Sequence, residues 1–475
     1  MSDKPLQAAS AAPPNRWVAF AILAVLFLAA TDTTIIGTLL PVIAGSVGGG
    51  QALFPWLMSG FMVAMALAGP LTGALADRYG VRSVLSWAIL VFLAGSAGAA
   101  LAGDMLMLVL ARVVQGAGAG MIIVLSYASL AIIYGASQRG RVQSMVSIVW
   151  GVAAIVGPLA GLAFTHAFGW RAAFLINMPV GLVCLLVLRS KALSAHVRRG
   201  VAVDYLAQGF FALMLLGVMV ALSAAQVGLS RDSFWSMLVL AAAGALLLGL
   251  RVAGRPQASP VPLAFFRQRS LAVAMVIVIC GSIGLYASIT LVPIALHARH
   301  AIDTAQTGII VLLAALGFVV SSAVCGMQIQ RVGYRSSMLA GALALVAGAF
   351  VLAMGSSSLP WQAIAGAELL IGLGMGCVAV GAVVLAQNAA PADAVATYTS
   401  TIQLLRNVGA ALGINALAAI QYALESQHLS NDSLRSVFSV LGPVFVVCAL
   451  LALLLPSNYQ LQPAAVPGQP EPARR

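Results

Sequence analysis

Apolar positions run unbroken over lengths that a soluble fold does not use. Stretches of roughly 20 apolar residues, enough for a helix to cross about 30 Å of hydrocarbon, recur near 17–40, 53–76, 82–103, 105–133, 141–166 and 172–189. Two more follow near 203–226 and 234–251, then six again near 271–296, 304–328, 335–355, 360–388, 396–421 and 436–456. The pattern predicts an all-α membrane protein of 14 transmembrane helices, grouped six, two and six. The expected units are an N-terminal six-helix bundle at 17–190, an accessory pair with its loops at 191–260, and a C-terminal bundle at 261–456. The polar, Pro-rich ends, 1–16 and 457–475, are expected to be disordered tails.

The polar breaks between runs repeat. GALADRYGVRS at 73–83 returns 253 residues later as GMQIQRVGYRS at 326–336, with Gly73, Arg78, Gly80, Arg82 and Ser83 matched by Gly326, Arg331, Gly333, Arg335 and Ser336. A second register, 256 residues, places QGAGAG at 115–120 over IGLGMG at 371–376. Two similar halves inside a membrane are the layout of secondary transporters.

Composition agrees with a lipid solvent: 61% of residues are hydrophobic and 8% charged, against about 25% charged in a soluble protein. With both termini in the cytoplasm, 18 of the 24 Lys and Arg fall on that side, as positive-inside loops require. The formal net charge of +12 is therefore spread over short loops facing anionic lipid, and nucleic-acid binding is not expected. Arg16 ahead of the first apolar run has the look of a secretory signal, but the run is too long and its removal would leave an odd span count. The five cysteines show no paired spacing, and His297 and His300 lack a third ligand, so neither a disulfide scaffold nor a metal site is expected. No nucleotide-binding G-x-x-x-x-G-K-[ST] motif is present, which leaves an ion gradient as the driving force and implies no cofactor. No cluster of catalytic residues converges on one membrane face, so an enzyme is not expected.

Charged residues inside a bilayer are costly and are functional candidates by default. There are four: Asp32, Arg112, Glu368 and Arg406. Counted at 1.5 Å per residue from the outer ends of their runs, Asp32 lies ~12 Å deep, Arg112 ~10 Å and Glu368 ~12 Å, so they share a layer. The 256-residue register maps Arg112 onto Glu368 and Trp150 onto Arg406, the latter ~15 Å from the cytoplasmic side. Asp32 beside Arg112 reads as a proton-binding carboxylate tuned by a cation, or as a structural ion pair. Glu368 reads as a second proton site, a substrate-facing acid or a structural group. Gln115 and Arg406 join Glu368 as candidate substrate contacts. Met58, Met62 and Met65 form a helical stripe that fits either ordinary packing or an adaptable ligand surface.

These motifs resemble the major facilitator superfamily. Asp77-Arg78-Tyr79-Gly80, with Gly73 and Arg82, resembles its loop between spans 2 and 3; LARVVQGAGAG at 110–120 resembles its span 4 signature; WGVAAIVGPLAG at 150–161 resembles its span 5 antiporter signature through Gly151, Gly157, Pro158 and Gly161. TDTTIIGTLLP at 31–41, WRAAFLINMPVG at 170–181 and PLAFFR at 262–267 resemble the fourteen-span drug:proton antiporter branch. Gly37, where that branch often has Asn, and Leu162, replacing a second Gly, depart from it. The resemblance implies alternating-access antiport of amphipathic drugs against protons in a bacterial cytoplasmic membrane; a dedicated exporter of one metabolite or lipid-like solute would use the same machinery. The partners are then a small-molecule substrate, protons and the bilayer, and nothing in the sequence identifies a periplasmic adaptor. Asp77 is an expected conformational latch, or part of a solvated turn; it becomes Gln330 in the echo, so a latch would be asymmetric. Pro158 and its glycines make span 5 an expected hinge, or ordinary membrane-helix packing.

Overall fold

The computed structural model describes residues 16–47, 53–134, 139–188, 204–224, 228–255, 259, 261–298, 303–355, 359–390, 395–426 and 432–457. The two tails, apart from Arg16 and Ser457, lie outside the described residues. Helices account for nearly everything described, as a bilayer requires when no water is present to satisfy the backbone. The first half comprises α1 (Arg16–Ser46), α2 (Phe54–Tyr79), α3 (Val81–Ala100), α4 (Met105–Tyr134), α5 (Arg139–Ala167), α6 (Ala172–Leu175) and α7 (Asn177–Leu188). The pair α8 (Tyr205–Ser223) and α9 (Arg231–Gly254) follows. After a one-turn α10 (Ala264–Arg267), the second half comprises α11 (Arg269–Ala298), α12 (Thr304–Ala353), α13 (Trp361–Ala389), α14 (Val395–Ser426) and α15 (Ser433–Ala452). α12 is two spans joined at Gly333, whose φ of 82° is not helical.

Eleven helical stretches among the described residues are long and apolar enough to cross a membrane. Three shorter apolar stretches, Phe54–Gly69, Ile148–Gly161 and Ala172–Leu188, stand at the expected second, fifth and sixth spans. The first two lie within the longer helices α2 and α5, and the third is interrupted at Ile176 between α6 and α7.

The repeat in sequence is a repeat in packing. In α4, Gly116 abuts the backbone of Phe61 and Gly120 that of Met65, both on α2; in α13, Gly372 abuts Ala314 and Gly376 abuts Phe318, the residues 253 positions after Phe61 and Met65. Gly118 meets Phe92 of α3, and Gly374 meets Leu345, again 253 later. A Cβ on Gly118 would stand 2.7 Å from Phe92 Cα, and one on Gly374 would stand 2.8 Å from Leu345 Cγ. Small residues let membrane helices approach to this distance, where dispersion holds them. The loop echo is also structural: Gly80 and Gly333 both carry positive φ, 85° and 82°, turning the chain between helices in a conformation costly for residues with a Cβ.

The halves meet where α2 packs on α14 and α5 on α12. α8 lies against both α2 and α14, while α9 touches mainly α8, through Gly217 and Gly244. Only Ala241 and Gly244 of α9 are fully buried, and more than half of its residues are exposed.

Candidate functional site

The N-terminal half holds a buried polar network. Asp32 on α1 is 3% exposed and Arg112 on α4 fully buried, and Arg112 Nη1 is ion-paired with Asp32 Oδ2. Arg112 Nη1 also donates to Gln115 Oε1 at 2.6 Å, and Nε donates to the Leu57 carbonyl at 3.3 Å. Gln115 Nε2 faces the other carboxylate oxygen, Asp32 Oδ1, at 2.9 Å, and Ser96 Oγ of α3 at 2.7 Å. Asn177 of α7 donates to the same Ser96 oxygen at 3.1 Å. Phe61 lies under the guanidinium, 4.0 Å from ring centroid to Cζ, a placement that favours a desolvated cation. Arg112 and Gln115 are three residues apart on one helix face, so their side chains reach the same carboxylate.

The C-terminal half keeps the position and changes the chemistry. Glu368 on α13, in the register of Arg112, is fully buried. Ser288 on α11, 256 residues after Asp32, has its Oγ 2.9 Å from Glu368 Oε2 and 3.0 Å from the Leu285 carbonyl. Glu368 Oε1 has no hydrogen-bond partner among the described residues. Gln115 is replaced by Ile371 in the 256-residue register and Ser96 by Ala349 in the 253-residue register, so five linked polar residues in one half stand against two in the other.

Arg406 of α14 stands apart from both. It is half-buried, with Cζ 5.9 Å from the Trp150 ring centroid on α5. Its Nε has no hydrogen-bond partner among the described residues. Tyr127 of α4 lies near Trp150 and within electrostatic range of Arg406. Trp150 and Arg406, equivalent by the 256-residue register, thus meet across the two halves.

Among the remaining expected site residues, Gly157 on α5 abuts the Thr34 side chain of α1, and Thr34 Oγ1 donates to the Ala153 carbonyl at 3.2 Å. Gly151 faces Val319 of α12, where a Cβ would stand at 3.2 Å, so it sits on the seam between halves. Gly161 is buried, and Pro158 lies inside α5, which continues to Ala167. Arg78 is exposed with its guanidinium over the Tyr79 ring, and Arg82 is half-buried. The surroundings of Gly73 and of the Asp77 side chain lie outside the described residues. Met58, Met62 and Met65 are buried at 4% exposure or less, the packing alternative for that stripe. Ser288 and Tyr127 escaped sequence reasoning, although adding 256 to Asp32 points directly to Ser288.

Two related helical halves around buried, membrane-depth charges define a membrane transporter. The chain belongs to the major facilitator superfamily, whose family model matches residues 22–414; it is a transporter family, and the chain is accordingly no enzyme. Multidrug transporter protein MdtP of Bacillus subtilis is 26% identical over 418 residues, covering 87% of this chain and 76% of that protein. Multidrug resistance protein B homolog of Mycobacterium tuberculosis strain H37Rv is 30% identical over 416 residues, covering 84% and 75%. An Acurin A biosynthesis cluster MFS-type transporter of Aspergillus aculeatus is 29% identical over 450 residues, covering 90% and 80%. Among solved structures, a variant of the peptide transporter POT with sulfate bound superposes with a TM-score of 0.67 at 17% identity, covering 95% of this chain and 96% of that one. A variant of the nucleoside transporter NupG gives 0.62 at 12% identity, with 92% and 99% covered. At such identities the structural likeness speaks for the fold alone.

Proposed function

We propose that this protein is a proton-driven exporter of amphipathic drugs, working by alternating-access antiport with fourteen spans and both termini in the cytoplasm. The observation that carries the reading is the buried Asp32–Arg112 pair with Gln115 bridging to the carboxylate. A carboxylate and a guanidinium held together at membrane depth form a two-state element. When a proton occupies Asp32, the ion pair loses its charge attraction, Arg112 must find other acceptors, and the helices carrying them, α1 and α4, are biased toward a different packing. Support also comes from relatives named as multidrug transporters.

The cycle runs as follows. Facing inward, the cavity takes a compound from the cytoplasm or inner leaflet; facing outward, protonation of Asp32 weakens substrate binding and releases the compound; deprotonation inside resets the carrier. Glu368 is a second proton site in this reading. Ser288 has one hydroxyl proton and two neighbours: it donates to Glu368 when the acid is charged, and to the Leu285 carbonyl while accepting from Glu368 when the acid is protonated. Glu368 Oε2 therefore keeps a hydrogen bond to Ser288 in both protonation states without moving a helix.

A second reading, a dedicated exporter of one metabolite, is favoured by the relative named for a biosynthesis cluster. Proteoliposomes with an imposed pH gradient and a panel of unrelated dyes test both. Uphill accumulation of several dyes, abolished by a protonophore, is expected; accumulation indifferent to the gradient contradicts the proposal, and response to one compound alone selects the second reading.

A further inference from the structure

We infer that Arg406, with Trp150 and Tyr127, forms an anion-recognising end of the substrate site, so that the compounds bound most tightly are amphipathic acids: a carboxylate or sulfonate on an aromatic body. This rests on the exporter reading and narrows its substrate class.

The charge inventory is the first argument. Asp32 and Glu368 are the two carboxyl groups within spans. Asp32 is committed to Arg112, and Glu368 is sealed against Ser288. Among the described residues the ion pairs within 4 Å are Asp32–Arg112 and Asp204–Arg251, so Arg406 has no carboxylate partner there. A guanidinium at membrane depth without a counter-ion is costly, and such a cation faces a water-filled cavity or a ligand that brings the missing charge.

Placement is the second argument. Of the four charged residues within spans, three are buried to 3% exposure or less, whereas Arg406 is half-buried. It reaches from α14 in one half toward Trp150 on α5 and Tyr127 on α4 in the other. The Trp150 ring, 5.9 Å from Arg406 Cζ, and Tyr127 beside it make the aromatic side of this arrangement. Nε keeps a donor without an acceptor. A planar guanidinium takes a carboxylate through two parallel N–H donors, and aromatic rings beside it take the apolar body of the same molecule. A cationic compound would meet the repulsion of Arg406 at this position instead.

Binding to the purified protein, which needs no proton gradient, separates these cases. The probes are one xanthene dye carrying a free carboxylate and its alkyl ester, followed by fluorescence anisotropy, with thermal unfolding of each variant as the folding control. Wild type is expected to bind the acid about tenfold or more tightly than the ester. Arg406→Gln is expected to lose that preference while ester binding is kept, Arg406→Lys to retain part of it, and Trp150→Phe to weaken both dyes. Preference of the wild type for the ester, or acid binding unchanged in Arg406→Gln, overturns the inference and leaves the exporter reading intact. Failure to bind or transport either dye, or any other lipophilic compound, overturns the exporter reading and this inference with it.

Discussion

Ser288 and Glu368 stand 80 residues apart in the C-terminal half and share a 2.9 Å hydrogen bond, at the spacing that separates Asp32 from Arg112 in the N-terminal half. The same contact, first helix to fourth helix of each half, is an ion pair on one side and an acid–hydroxyl pair on the other. The N-terminal version is over-determined by Gln115 and Ser96, the C-terminal version by almost nothing. Removing Ser288 is accordingly a lighter change than removing any member of the Asp32 network.

Arg112→Ala strips a buried carboxylate of its partner and is expected to cost about 3–5 kcal/mol. The purified variant should melt earlier than wild type in detergent, and the double variant Asp32→Asn with Arg112→Gln should recover much of the lost stability without recovering transport. Additive losses in the cycle completed by the single variants Asp32→Asn and Arg112→Gln would mean the pair is not coupled.

Gly116→Ala and Gly372→Ala place a Cβ against the backbones of Phe61 and Ala314 and are each expected to destabilise by about 1–3 kcal/mol. Gly366→Ala, where the added methyl meets nothing within 4 Å, is the control and should be neutral or slightly stabilising. Equal melting temperatures for all three would contradict the packing described.

Ser223, at the end of α8, accepts from Trp56 Nε1 at 2.9 Å and donates to Asn415 Oδ1 at 2.9 Å, tying α2 of one half to α14 of the other. Ser223→Ala orphans both neighbours, a loss of about 1–3 kcal/mol. Because the tie spans the two halves, which the proposed alternating-access cycle moves relative to each other, the expected signature is a lower melting temperature together with a changed transport rate for the same dye. A variant that melts and transports as wild type would remove the accessory pair from the mechanism.

Asp204 caps α8 just outside its span. The Ala207 backbone N–H and then Arg251, 2.9 Å away, hold its carboxyl below the usual carboxylate range. A depressed folded value means stabilisation present above the ordinary carboxylate pKa, about 3.9, and lost as pH falls through the folded value. Asp204→Asn should therefore be less stable than wild type at neutral pH and converge with it in acid. Parallel curves across that window would contradict the assignment.

Much of this architecture was legible because lipid simplifies the code. Apolar run length placed the helices to within a few residues, and the 253- and 256-residue registers that align Gly80 with Gly333 and Gly116 with Gly372 also align their packing partners. Asp32 and Arg112 could be paired in advance because an unpaired charge at that depth is too costly. Other features follow from no local signal. The break at Ile176 interrupts a run whose apolar composition does not mark it, and the single turn at Ala264–Arg267 falls in the connection between runs. α8 has no counterpart in either half, so no register could place Ser223 between Trp56 and Asn415. Cys325, without paired spacing in sequence, has its Sγ 3.8 Å from the Cys377 carbonyl because α12 and α13 happen to align them.

The most direct test of the central claim is lumenal pH in inside-out vesicles carrying wild type or Asp32→Asn, recorded while a transported dye is added. Proton-driven antiport through Asp32 predicts that the acidified lumen loses protons as dye accumulates in the wild type, and that both signals vanish in the variant. Uphill dye accumulation with undiminished proton release in Asp32→Asn would contradict it.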